Sequence, residues 1–217
     1  AASDVYKRQA YDCIYSGFLA DVNQIEIVRE AIRRFARIKD QKTFVVVDPA
    51  MGDDGKLYPT LNLDFVSHMK SLVAEADVIT PNFTEACLLV DRPYRAEAPE
   101  TDALKEICQQ LATKNNQKVV ITSVPGNDAN QIKVACFDSN TQTFAQYSTA
   151  RIPFATCGTG DLFTSVLTGA MLQGKTLSES VQVAMKFVSL AIDFTYKSGS
   201  DYREGVQVEP CLRHLFD

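Results

Sequence analysis

The chain has 217 residues, 46% of them hydrophobic, enough to bury one sizeable core and to argue for a single domain. The formal net charge is −5, with acidic and basic residues interspersed, so no basic block points to nucleic acid. No apolar run approaches the roughly 18 residues that span a bilayer, and the six cysteines show no C-x-x-C spacing, so they read as reduced core thiols of a cytoplasmic protein rather than disulfides or zinc ligands.

Ala1 to Gln9 show neither periodicity nor caps and read as an irregular or non-native start, leaving 10–217 as the domain. Cys13-Ile14-Tyr15 begins a strand. A helix follows with Asn23 and Glu26 in a capping-box arrangement and Ile25, Val28, Ile32, Phe35 and Ala36 on its apolar face. Thr43 to Val47 is apolar without alternation, the pattern of a strand buried on both faces, and it ends at Asp48-Pro49. The periodicity predicts a helix near Leu63 to Ala76, a strand at Val78-Ile79-Thr80, a short helix from Thr84, a helix over Thr101 to Asn115 and a strand over Val119 to Thr122. That order is a βαβ series, hence an α/β fold with a mostly parallel central sheet flanked by helices. Ile132 to Phe137 and Thr143 to Ala150 then read as an antiparallel hairpin. The last helix starts at Thr176, with Glu179 completing a capping box, and stops before Gly199.

Between hairpin and last helix lies Cys157-Gly158-Thr159-Gly160-Asp161-Leu162-Phe163, two glycines and a carboxylate at the mouth of a helix with apolar Phe163, Val166, Leu167, Ala170 and Met171. A helix N-terminus carries unpaired N–H groups and the positive end of the macrodipole, and glycines let a ligand come close, so this mouth suits a phosphate. Asp161 either caps the helix or takes a proton from the group that attacks the phosphate. In an open α/β sheet ligands bind beyond the carboxyl ends of the strands. That edge should collect Asp48 and Asp53, Thr80, Asn82 and Glu85, Thr122 and Ser123, and Gly158 to Asp161. Three carboxylates beside an anion site call for a cation, and Mg²⁺ is the economical one. The inventory fits phosphoryl transfer. No G-x-x-x-x-G-K-[ST] is present, and Gly158-Thr159-Gly160 lacks the third glycine of a dinucleotide fingerprint, so neither a P-loop enzyme nor a Rossmann oxidoreductase is expected.

Asp48-Pro49-Ala50-Met51-Gly52-Asp53, Thr80-Pro81-Asn82-Phe83-Thr84-Glu85, Ile121-Thr122-Ser123 and Gly158-Thr159-Gly160-Asp161-Leu162-Phe163, in this order, resemble the pyridoxal kinases of the ribokinase superfamily. The resemblance runs from about Tyr11 to the C-terminus. It implies a ribokinase-like fold and transfer of a phosphoryl group from ATP to the 5′-hydroxymethyl group of a B6 vitamer. Asp161 would be the base, and Gly158, Thr159 and Gly160 the anion hole, with Gly160 and Asp161 facing the substrate. Asp48, Asp53 and Glu85 would surround Mg²⁺. Asp48, Thr80, Asn82, Glu85, Thr122, Ser123, Ile152, Phe154 and Thr159 would line the ATP. The resemblance further implies a homodimer, a response to K⁺, and neither nucleic acid nor membrane as a partner. Ala50 stands where Val is usual, and the family's opening βαβ portion has no counterpart, so N-terminal strands of the sheet are expected to be missing. A hydroxymethylpyrimidine kinase of the same superfamily and a non-catalytic nucleotide-binding protein are the alternatives.

Overall fold

The structure, a computed structural model, describes residues 11–36 and 43–215; the irregular start at 1–9 lies outside them. A six-stranded sheet has the order β1-β2-β5-β6-β7-β8. Its parallel half comprises β1 (Cys13–Ser16), β2 (Phe44–Val47), β5 (Val78–Ile79) and the start of β6 (Lys118–Pro125). β7 (Gln131–Asp138) and β8 (Thr143–Ala150) continue it antiparallel to β6. The expected hairpin is therefore present, but as part of a three-stranded meander, because β6 runs past Thr122 to Pro125 and pairs with β7 along its length.

The sheet separates two apolar layers, and strand alternation decides which residue enters which. Val45, Val47, Ile79, Val119 and Ile121 point to one side, where they meet Ile25, Ile32, Phe65, Met69, Leu72 and Leu104. These come from α1 (Val22–Ala31, prolonged by a π-helical turn to Ala36), α2 (Leu63–Val73) and α4 (Thr101–Leu111). Val46, Val78 and Val120 point the other way, onto Phe163, Leu167, Val181, Ala184 and Phe187 of α5 (Thr159–Leu172) and α6 (Leu177–Ser198). Uninterrupted valine and isoleucine runs are what a parallel strand covered on both faces needs.

Helix boundaries follow their caps. Asp21, not Asn23, caps α1, its carboxylate accepting from Gln24 N–H at 3.0 Å. Two Asx residues stood close together before the apolar stripe, and the earlier one holds the extended backbone a cap requires. Asn82 caps α3 (Phe83–Leu89), which begins one residue before the expected start at Thr84. The Thr176–Glu179 capping box forms as expected. Below the sheet, buried Gln117 donates to the carbonyls of Val73 and Ala76 and accepts from Thr113, closing the end of α2 against the entry to β6. All six cysteines are free: Cys87, Cys108, Cys136 and Cys211 are buried and Cys13 partly so, but Cys157 is exposed, on a loop rather than in the core. No helix among the described residues is long and apolar enough to cross a membrane.

Candidate active site

The strand ends deliver the site. β2 stops at Val47, and Asp48 is held by its N–H on the Ser16 carbonyl at 2.8 Å. β5 stops at Ile79 and is followed by Thr80, whose hydroxyl lies 2.9 Å from that of Thr164 on α5. In β6 the register breaks between Ile121 and Val124, and Ser123 takes φ 54°. This bulge carries Thr122 and Ser123 out of the ladder, a usual way of aiming residues at a site. α5 enters from above. Its first turn follows Gly158, whose φ of 86° is the left-handed region that glycine tolerates best, and no side chain caps it. Asp21, Asn62, Asn82 and Thr176 cap α1, α2, α3 and α6, whereas α4 and α5 have no side-chain cap, and the open mouth of α5 lines the cavity at the strand ends.

The expected residues do converge. Asp48, Asp53, Thr80, Asn82, Glu85, Thr122, Ser123, Thr159, Gly160 and Asp161 all line one cavity of about 320 Å³, together with Phe18, Tyr58, Cys157, Gly158 and Thr164. A neighbouring cavity of about 290 Å³ is more apolar, with Ile132, Val134, Ile152, Phe154, Phe163, Val188 and Ile192 on its walls. Asp53, Thr122, Ser123, Thr156, Thr159 and Gly160 border both, so the two are adjoining chambers.

Of the two roles open to Asp161, capping falls away: Gly158 is the capping position, and the Asp161 carboxylate is exposed within the first turn. Asp48, Asp53 and Glu85 line the same cavity without forming a close cluster of three potential ligands among the described residues. Glu85 is engaged by backbone N–H groups. One oxygen accepts from Met51 N–H at 3.0 Å and the other from Asn82 N–H at 2.7 Å, while the Asn82 side chain accepts from Glu85 N–H at 2.9 Å and donates to the Gly52 carbonyl at 2.7 Å. Glu85 and Asn82 thus form a capping box that also clasps the 51–52 backbone. That backbone leads into a small ribbon of β3 (Gly52–Asp53) and β4 (Lys56–Leu57), turned by Asp54-Gly55 with φ 47° and 77°. An Asp-Gly pair with both φ positive makes a type I′ turn, the strongest short hairpin signal in a sequence. The ribbon places Asp53 at the boundary of the two chambers.

Buried carboxyls dominate the electrostatics of this edge. Burial, reinforced by Asp161, pushes Asp48 up to about 7. Burial, with the charge of Asp48 next, pushes Glu85 up to about 8, against the pull of the backbone N–H groups it accepts from. A carboxyl with a raised folded-state pKa makes the native state hold a proton that the unfolded chain releases. Its stabilising contribution is whole below the ordinary carboxylate range and is lost as pH rises through the folded value. The ligand-free chain should therefore melt at progressively lower temperature as pH rises from about 4, the ordinary carboxylate range, and the decline should level off above about pH 8, past the two raised values. Thermal melts across that range check it, and a melting temperature that climbs with pH would refute the burial of charge at this edge.

The sequence matches the phosphomethylpyrimidine kinase family model over residues 3–205. It is 30% identical over 190 residues to the pyridoxine/pyridoxal/pyridoxamine kinase of Bordetella avium, covering 86% of this chain and 62% of that protein. It is 28% identical over 193 residues to a hydroxymethylpyrimidine/phosphomethylpyrimidine kinase of Staphylococcus aureus, covering 86% and 64%. The chain thus spans less than two thirds of the length of these curated relatives. Among solved structures, a Bacteroides thetaiotaomicron protein assigned to the phosphomethylpyrimidine kinases and crystallised with pyridoxal superposes with a TM-score of 0.90 at 36% identity, covering 100% of this chain and 74% of that one. The pyridoxal kinase of Lactobacillus plantarum gives 0.85 at 29% identity, covering 99% and 74%. With the phosphate-side motifs gathered at one sheet edge and the family match running almost end to end, this chain belongs to the phosphomethylpyrimidine kinase family, within the ribokinase-like superfamily.

Proposed function

We propose that this chain carries the phosphate-handling part of a kinase that transfers the γ-phosphoryl group of ATP to the 5′-hydroxymethyl group of pyridoxal, pyridoxine or pyridoxamine. The observation that carries the reading is the placement of Asp161, an exposed carboxylate in the first turn of an uncapped helix, where a pure anion binder gains nothing from negative charge. The apolar chamber suits a purine, and the triphosphate would run across the shared boundary into the polar chamber, ending at the α5 mouth. There the N–H groups of the first turn would receive the transferring group as its charge spreads over the peripheral oxygens. The substrate hydroxyl oxygen attacks phosphorus in line, the bond from phosphorus to the ADP oxygen breaks, and the hydroxyl proton passes to Asp161.

Mg²⁺, when bound, would neutralise the phosphates. The donor set fits a hydrated ion that keeps several waters between itself and Asp48, Asp53 and Glu85, rather than an ion caged by protein oxygens. Of the three, Asp53 is exposed on the ribbon, with one oxygen accepting from Asp54 N–H. Asp53→Asn should raise the Mg²⁺ concentration needed for half-maximal rate several-fold, because an amide does not offset the ion's charge. An unchanged Mg²⁺ titration would remove Asp53 from the metal's surroundings. Thr80 and Asn82 serve here by fixing α5 and the 51–52 backbone through the bonds described above. A response to K⁺, a homodimer and a cytoplasmic location belong to the same proposal and rest on family resemblance.

The test is a coupled assay of the full natural chain with ATP, Mg²⁺ and a panel of B6 vitamers and pyrimidine alcohols. Phosphorylation of the vitamers is expected. The family description and the Staphylococcus aureus relatives favour a second reading, in which Asp161 does the same work on a hydroxymethylpyrimidine. A preference for the pyrimidines would select that reading, and folded protein that binds ATP yet transfers to no alcohol would leave only a nucleotide binder.

A further inference from the structure

We propose that Tyr15 is a positioning residue for Asp161, holding one carboxylate oxygen so that the other is presented to the substrate hydroxyl. The inference rests on Asp161 being the base. Tyr15 lies in β1, paired with Val46, and its side chain leaves the sheet on the α5 side, as Cys13 and Val46 do. Its Oη donates to Asp161 Oδ1 at 3.1 Å across 146 residues of sequence. Among the described residues it is the only side chain that hydrogen-bonds this carboxylate. Asp161 makes no capping bond of its own, so without Tyr15 an exposed carboxylate would turn freely about two torsions.

Three further observations make the contact a built one. Thr164, three residues beyond Asp161 on α5, is buried against the Thr80 hydroxyl at 2.9 Å. The helix that carries Asp161 is thus anchored to the end of β5. Next, a Cβ at Gly17 would come within 3.1 Å of Asp161 Oδ1 and 3.4 Å of Tyr15 Oη, so the backbone leaving β1 packs closely against the pair. Finally, burial and the charges of Asp48 and Asp161 push the phenol far above its ordinary range. Tyr15 therefore keeps its proton and donates it towards Asp161, which suits an orienting group and excludes it as the base. A locked carboxylate reaches the reacting oxygen without first losing rotational freedom, which is how positioning contributes to rate.

The experiment is a double-mutant cycle in the full natural chain. Tyr15→Phe keeps the ring and its packing and should melt with the wild type, while kcat falls roughly three- to tenfold, the range expected for losing one orienting hydrogen bond. KM for ATP should not move. In the Asp161→Asn background the same change should cost nothing further, because there is no base left to orient. An equal loss in both backgrounds, or no loss in the wild type, would overturn the proposal. Near-normal turnover by Asp161→Asn alone would instead remove the base assignment. A crystal structure of Tyr15→Phe decides the geometry without any assay: several Asp161 rotamers support the clamp, and one unchanged rotamer refutes it.

Discussion

Replacing Asp161 by Asn should lower kcat by roughly 10²–10⁴ while ATP binding survives, the range a general base contributes. The fold should barely notice, since Asp161 caps nothing and an amide oxygen can still accept from Tyr15 at the Oδ1 position. Asp48 should respond: losing the charge that helps push its carboxyl upward lets it ionise more easily. The variant is then expected to be equal or slightly superior to the wild type in thermal stability near neutral pH and above, with activity nearly abolished. Steady-state kinetics and a melt at the same pH test both halves. Near-normal turnover would remove Asp161 from the reaction.

The second large effect is expected at Glu85, and it is structural. Truncation to Ala would strand the buried N–H groups of Met51 and Asn82, which Glu85 now receives. Each unsatisfied buried donor costs about 1–3 kcal/mol, and a chain of this size loses about 2–4 °C of Tm per kcal/mol. Glu85→Gln should fall between Ala and the wild type. Its amide oxygen can serve one N–H, but its NH₂ then faces the other donor. With the clasp gone, the β3–β4 ribbon carrying Asp53 loses its anchor, so amide exchange in residues 51–57 should quicken before the rest of the sheet does. A Glu85→Ala variant that melts with the wild type would show that the clasp contributes nothing to the fold.

Much of this architecture was legible because its signals are local. Val45 to Val47, Val78-Ile79 and Val119 to Ile121 announce buried parallel strands by composition, and the sheet edge they share gathers the site without any knowledge of side-chain contacts. What escaped depends on partners far away in sequence. Nothing near Tyr15 indicates that its hydroxyl meets a residue 146 positions later. Glu85 is legible as one of the carboxylates at the sheet edge, but its hold on the Met51 N–H, 34 residues away, is not. Cys157 shares the spacing by which the other cysteines read as core thiols, yet the chain there turns outward to form the mouth of α5. The Asp54-Gly55 turn is a different case, a local signal that the longer motif around it overshadowed.

The division of the sheet at β6 has a consequence for how the chain reaches its native state. β6, β7 and β8 pair with their neighbours in sequence, joined by short turns. By contrast, every pairing among β1, β2, β5 and β6 must wait for a helical crossover to close. Loop-closure entropy is paid before distant contacts return anything, so local meanders assemble sooner than parallel ladders. Folding should begin at the antiparallel half and add strands towards β1. Since Thr122 and Ser123 belong to β6 while Tyr15 and Asp48 lie in or directly after the strands added later, the wall bordering both chambers would form ahead of the edge that meets Asp161.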